Sequence, residues 1–198
     1  MERRRKGKDM IEVEVKLPLA ECSPQKVIAE LEKRGFEQES DILEEDRYFD
    51  TDDHKMQNGG MALRIRTVTK RADGKENALI TFKGPKTDQI SMTRKELETA
   101  VGDGKTGMKL LEALGFYCVE PVVQKHRREY RNERICVCVD RVEGLGDFLE
   151  FEIMISEDED KEQALKEIRS LMEELGFSMK ETTRTSYLSL LQKKLHKK

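Results

Sequence analysis

The chain contains no tryptophan, only 6% aromatic residues, and no run of the roughly 20 apolar residues that a membrane-crossing helix needs. No apolar signal core follows the basic opening Met1-Glu2-Arg3-Arg4-Arg5-Lys6, so the sequence predicts a soluble, cytoplasmic protein that does not engage membrane. Cysteine is scarce as well. Cys22, Cys118, Cys136 and Cys138 form neither a CxxC pair nor a zinc-finger spacing, and are expected to be reduced, mostly buried thiols. Cys136 and Cys138 alternate along an expected strand and therefore face one side, without disulfide geometry. His54, His126 and His196 are isolated, with no HExxH helix to hold zinc. An excess of positive charge is also missing: 37 Lys+Arg against 40 Asp+Glu leave a net charge of −3. That balance excludes a chain whose task is to coat nucleic acid, and any anion site must be local.

What the chain has in abundance is paired charge, at 39% of residues against 36% hydrophobic. Its 198 residues suffice for one domain with a substantial core, spanning 1–198 with residues 1–9 as a disordered tail. Three segments with helical periodicity end alike, at Gly35-Phe36, Gly115-Phe116 and Gly176-Phe177. In each, glycine suits a left-handed C′ position and phenylalanine folds back on the last turn. The first helix is expected to start at Ser23 as N-cap with Pro24 at N1, and the third at about Asp160. A fourth runs from about Thr185 to Leu195, with Tyr187 and its leucine neighbours read as core-facing. Between the helices, period-two segments predict strands at 10–17, 42–50, 61–69, 77–84, 90–99, 122–131, 134–142 and 147–155. Hairpin turns are expected at Ala72-Asp73-Gly74-Lys75 and Asn132-Glu133. Eight strands with few long connections point to an α+β fold, an antiparallel sheet closed into a barrel with helices packed outside.

The strand faces carry the functional signal. Glu12, Glu14 and Lys16 alternate with apolar residues in the first strand, and similar alternation recurs downstream. Arg64 and Arg66 form one basic pair and Lys125 and Arg127 another; Lys83 follows Phe82. Arg94, Glu96 and Glu98 share a face, as do Glu150 and Glu152, and Asp140 lies opposite Val137 and Val139. If the apolar faces pack beneath helices, these seven acids and seven bases look into the barrel. A dry interior cannot hold them, because desolvation costs several kcal/mol per ion, so the lumen must admit water, metal ions or a polyanion. Carboxylate oxygens suit Mg²⁺ or Mn²⁺, which retain waters and share phosphate oxygens with a substrate. Arginine and lysine suit the remaining phosphate oxygens.

The ordered set Glu12-x-Glu14-x-Lys16, Arg64-x-Arg66, Lys83, Arg94-x-Glu96-x-Glu98, Lys125-x-Arg127 and Glu150-x-Glu152 resembles the CYTH, or triphosphate tunnel metalloenzyme, superfamily over nearly the whole chain. Residues 139–148, with the acidic strand after them, look particularly like class IV adenylate cyclases and their relatives. The resemblance implies an eight-stranded triphosphate tunnel with one or two Mg²⁺ or Mn²⁺ ions. It implies Glu12, Glu14, Asp140, Glu150 and Glu152 as metal ligands, with Glu12, Glu14, Lys16 and Glu152 catalytic. Lys16, Arg64, Arg66, Lys83, Arg94, Lys125 and Arg127 would contact phosphates, and Glu96 and Glu98 are further lumen acids. The implied reaction is ATP to cyclic AMP and pyrophosphate. The alternatives are hydrolysis of inorganic, thiamine or nucleoside triphosphate, and polyphosphate binding without catalysis. Lack of tryptophan removes the indole platform that some related thiamine triphosphatases use, though Tyr48, Phe49 or Phe82 could substitute. The partner is a triphosphate-bearing small molecule rather than nucleic acid, and the chain is expected to be a monomer or homodimer.

Other signals carry less. Gly104-Lys105-Thr106 imitates the end of a phosphate loop, but Thr99 stands where the first glycine belongs. Gly144 and Gly146 precede a strand and lack the third glycine of a dinucleotide fingerprint.

Overall fold

A computed structural model of the chain describes residues 10–20, 22–85, 94–156 and 158–196. Eight strands form the sheet: β1 (Met10–Pro18), β2 (Glu37–Thr51), β3 (Ala62–Lys70), β4 (Glu76–Lys83), β5 (Arg94–Val101), β6 (Phe116–Arg131), β7 (Cys136–Val142) and β8 (Gly146–Ser156). They close in the order β1-β5-β4-β3-β2-β6-β7-β8, and every neighbouring pair is antiparallel. Five α-helices lie among the described residues: α1 (Pro24–Lys33), α2 (Lys55–Asn58), α3 (Gly104–Ala113), α4 (Lys161–Glu174) and α5 (Tyr187–Leu195). The expected closed barrel with external helices is thus the architecture found. No described helix is long and apolar enough to cross a membrane.

The three glycine stops work as their spacing predicts. Gly35, Gly115 and Gly176 adopt φ of 79°, 89° and 83°, a region that costs a side chain strain. The Phe36 and Phe177 N–H groups then donate to the Leu31 and Met172 carbonyls, at 3.1 and 2.8 Å, closing the terminal turns of α1 and α4. Asp160 accepts from the Glu162 N–H as the N-cap of α4. Ser23 occupies the N-cap of α1 with Pro24 behind it, but its hydroxyl donates to Gln25 instead of capping the backbone.

Two strands exceed their expected limits. β2 begins at Glu37 and β6 at Phe116, whereas the sequence patterns start at 42 and 122. Pro121, which cannot donate to a ladder, argued against a strand there. The chain accommodates it in a bulge: Asp46 pairs with Val123 but Tyr48 with Val119, so Pro121 drops out of register. Residues 90–93 of the expected fifth strand lie outside the described residues. The short α2 and the 3₁₀ turn at Met179–Glu181 had no signal in the sequence.

The outer face carries the core. Val13, Val15 and Leu17 of β1, Val137 and Val139 of β7, and Leu149, Phe151, Ile153 and Ile155 of β8 pack beneath Leu31 of α1 and Ile168 and Met172 of α4. A second cluster joins Phe49, Leu63 and Ile65 to Leu111 of α3. Val123, Val142, Phe148 and Tyr187 form a third. By strand parity Val123, Val142 and Phe148 point inward, so this cluster, with Tyr187 from α5, closes one end of the bore. Ile168 and Met172 are fully buried, so Ile168→Ala should cost about 2–5 kcal/mol in a denaturant titration while leaving the lumen groups in place.

Candidate active site in the barrel lumen

Residues directly opposite in neighbouring strands project to the same face, so the register alone shows which side chains meet in the bore. Lys16 faces Glu150, Glu12 faces Arg94, Lys83 faces Glu96, Asp46 faces Arg66, Glu44 faces Lys125, and Arg127 faces Asp140. Each is an acid against a base. Among the described residues one charged lumen pairing breaks the rule: Glu14 on β1 lies opposite Glu152 on β8.

The ion pairs follow this grid. Arg66 grips Asp46 with Nε and Nη2, at 2.6 and 2.7 Å, and reaches Glu44 with Nη1 at 2.8 Å. Arg127 holds Asp140 in the same two-pronged way, at 2.7 Å for each contact, and also contacts Glu150 and Glu152. Lys125 bridges Glu44 and Asp140, at 3.0 and 3.1 Å. Lys83 bridges Glu12 and Glu96, at 3.0 and 2.8 Å. Thr81 donates to Glu98 at 3.0 Å. Arg94 is half-buried opposite Glu12.

Two cations are held more loosely. Lys16 lies 3.6 Å from Glu150 and 4.2 Å from the centre of the Tyr187 ring. Arg64 makes one 3.3 Å contact to Asp46, and its buried Nε has no hydrogen-bond partner among the described residues. A buried, unsatisfied guanidinium donor costs free energy until an acceptor arrives, and a phosphate oxygen is a suitable one.

The carboxyls divide accordingly. Burial alone would raise all of them, but Lys83 outweighs it at Glu12, which is brought down to about 2. Arg66, Lys125 and Arg127 likewise bring Glu44 to about 2. Asp46 and Glu150 are also lowered against the effect of burial, by Arg66 with Arg64 and by Arg127 with Lys125. Glu14 and Glu152 move the other way. Burial and the Glu150 charge raise Glu14, while burial raises Glu152 well above the ordinary range with Glu12, Cys136 and Glu150 adding to it. The acid-on-acid pair is therefore short of positive charge, and its hard oxygen donors fit a divalent cation that retains its own waters.

The lumen gathers all fourteen charged residues expected from the sequence, with differing engagement. Asp140 is fully buried, and Lys125, Arg127 and the Tyr187 hydroxyl all donate to it, which leaves it a counter-ion more than an open ligand. Glu44 and Asp46 were not anticipated: Glu44-Glu45-Asp46-Arg47 carries charge on both faces, which hides the period-two signal. Tyr187 is core-facing as expected, yet its hydroxyl reaches Asp140 at 3.0 Å. Of the three aromatic substitutes for an indole, Phe49 is buried and Phe82 partly buried in the cluster under α3. Tyr48 alone looks inward, opposite Arg64.

The family model described as the CYTH domain matches residues 10–187, the span that contains every one of these groups. The chain belongs to the CYTH family. A Methanocaldococcus jannaschii protein provisionally named an adenylate cyclase is 38% identical over 181 residues, 91% of this chain and 98% of its own length. The adenylate cyclase CyaB of Aeromonas hydrophila is 29% identical over 155 residues, 78% of this chain and 75% of its own. The solved structure of the PH1819 protein from Pyrococcus horikoshii superposes with a TM-score of 0.80 at 32% identity, covering 92% of this chain and 99% of that one. The fold is also that of the Hippeastrum protein HpAC1, at a TM-score of 0.67 and 19% identity over 93% of this chain and 96% of that one. HpAC1 carries an adenylyl cyclase name and a dominant triphosphatase activity.

In this CYTH lumen the raised carboxyl of Glu152 has a stability consequence. A carboxyl whose folded pKa is raised favours folding at low pH, and that contribution is lost as pH climbs from the ordinary value of 4.5 through the folded one. In metal-free protein, Glu152→Gln should therefore melt at or above the wild-type temperature near neutrality, with the gap narrowing as pH falls toward 4.5. Thermal melts across pH check this, and a gap that does not change with pH would count against it.

Proposed function

We propose that the chain is a divalent-metal-dependent enzyme that converts ATP to cyclic AMP and pyrophosphate, in the manner of class IV adenylate cyclases. The observation that carries the reading is the lumen grid, in which acid–base pairs hold a cationic wall around a single acid-on-acid pair, Glu14 and Glu152. A triphosphate with its divalent cation would meet the loosely held Lys16 and Arg64 through phosphate oxygens and the acid-on-acid pair through the metal.

Arg64, with its unpartnered Nε, and Lys16 and Arg94 are the groups freest to take phosphate oxygens. Arg66, Lys83, Lys125 and Arg127 are fixed by their acids and so hold their donors in place without having to reorganise, which is how preorganised charge stabilises a phosphoryl transition state. Mg²⁺ or Mn²⁺ would be held by Glu12, Glu14 and Glu152 and would neutralise charge on the phosphate chain. Asp140 and Glu150 serve as counter-ions to Lys125, Arg127 and Lys16. Tyr48, half-buried opposite Arg64, offers a ring face to the base. With the α-phosphorus in line, a bond forms from the ribose 3′-oxygen to that phosphorus and the bond to the bridging oxygen of pyrophosphate breaks. The hydroxyl proton passes to a lumen carboxylate, of which Glu14 and Glu152 face each other instead of a base.

Hydrolysis of a terminal phosphate is the second reading. It is favoured by the lining itself, which is almost wholly ionic around the cations, with one of its tyrosines, Tyr187, committed to Asp140 and Lys16.

Incubation with ATP, inorganic triphosphate and thiamine triphosphate, each with Mg²⁺ or Mn²⁺, separates these readings. Cyclic AMP with pyrophosphate is expected from ATP. Inorganic phosphate alone would make the chain a hydrolase, and tight binding without turnover would make it a polyphosphate-binding protein. Arg64→Ala should lower kcat/KM by about 10²–10³-fold, the usual cost of losing one donor to a transition state. Tyr48→Ala should raise KM for ATP while leaving inorganic triphosphate unaffected.

A further inference from the structure

On the side of Glu152 away from Glu14, the bore changes chemistry. Cys136 and Cys138 share the inward face of β7 with Asp140 and lie directly opposite Glu152 and Glu150 in the β7–β8 register. Both are buried and neither is oxidised. Their sulfurs are 3.9 Å apart, and Cys138 Sγ is 3.5 Å from Glu152 Oε1. Among the described residues, Cys136, Cys138 and Glu152 are the one group of three His, Cys, Asp or Glu donors whose ligand atoms all lie within 4.8 Å of one another. The hard-oxygen groups of the lumen are not gathered so closely.

We propose that Cys136, Cys138 and Glu152 form a binding site for a thiophilic divalent cation, Zn²⁺ in the first instance, beside the oxygen-lined Mg²⁺ or Mn²⁺ site and sharing Glu152 with it. The geometry of the side chains carries the proposal. A tetrahedral Zn²⁺ with Zn–S bonds of about 2.3 Å holds two sulfurs about 3.8 Å apart, and with a Zn–O bond of about 2.0–2.2 Å it sets sulfur and oxygen about 3.5–3.7 Å apart. The observed 3.9 and 3.5 Å separations are two edges of that polyhedron. Thiolates discriminate against Mg²⁺ and Ca²⁺ and favour a softer ion. Binding breaks two S–H bonds, releases two protons to solvent and forms two metal–sulfur bonds. Two thiolates and a carboxylate then overbalance the ion by one negative charge, in the neighbourhood of the Arg127 guanidinium, 3.5 Å from Glu152 Oε1. Three protein donors leave a fourth position on the lumen side, and an ion there ties up an oxygen of Glu152. The site stands on the ligand-free geometry and does not depend on which triphosphate, if any, the bore accepts.

The test uses the full chain, reduced and stripped of metal, with Co²⁺ alone as the probe. A near-ultraviolet thiolate-to-cobalt charge-transfer band, with visible absorption of tetrahedral intensity, is expected at one ion per chain, and Zn²⁺ should abolish both. The band should be lost in Cys136→Ser/Cys138→Ser and retained in Cys22→Ser/Cys118→Ser. No band in the wild type, or a band that survives in Cys136→Ser/Cys138→Ser, overturns the site. Should that variant fail to fold, X-ray absorption of the Zn²⁺-loaded wild type decides: two sulfur neighbours at about 2.3 Å are expected, and a shell of oxygen and nitrogen alone overturns the site.

Discussion

Charge taken out of water must be answered by charge, and that constraint organises the barrel. Arg66 on Asp46 and Arg127 on Asp140 are buried two-pronged pairs, and removing either partner of such a pair typically costs about 3–5 kcal/mol. Replacement by apolar groups would often be neutral or better, so the network is costly to keep for stability alone. What the network does provide is a set of cations held at fixed positions, a preorganisation that flexible surface lysines could not provide.

The fold meets this demand by giving each strand two incompatible faces. On β1, Val13, Val15 and Leu17 are buried under α1 and α4, while Glu12, Glu14 and Lys16 turn inward. A slip of one residue would exchange the two sets, forcing carboxylates under helices and valines into the bore. The hydrophobic core and the lumen chemistry therefore enforce one register together. The nine-residue pairing of β1 with β8 is where that register fixes Glu14 against Glu152.

Most of the barrel was legible because period-two alternation is a local property. Lys16, Arg64 and Glu150 announce their face through their immediate neighbours. Glu44 and Asp46 do not, since Glu45 and Arg47 put charge on the other face too, and only the pairings with Lys125 and Arg66 identify the inner one. The bulge at Pro121 was unreadable for a similar reason, because a strand that tolerates proline does so through its partner's register. Tyr187 illustrates a third limit. Helical spacing placed it in the core, correctly, but nothing local reveals that a hydroxyl from α5 reaches Asp140 on β7. The thiols of β7 could have been assigned from parity with Asp140, two and four residues away, had composition not marked them as inert.

Val123, Val142, Phe148 and Tyr187 make the barrel a cul-de-sac. Whatever enters must leave by the same mouth, so a guest goes in end-on and cannot thread through. A polymer could present only its terminus to such a chamber.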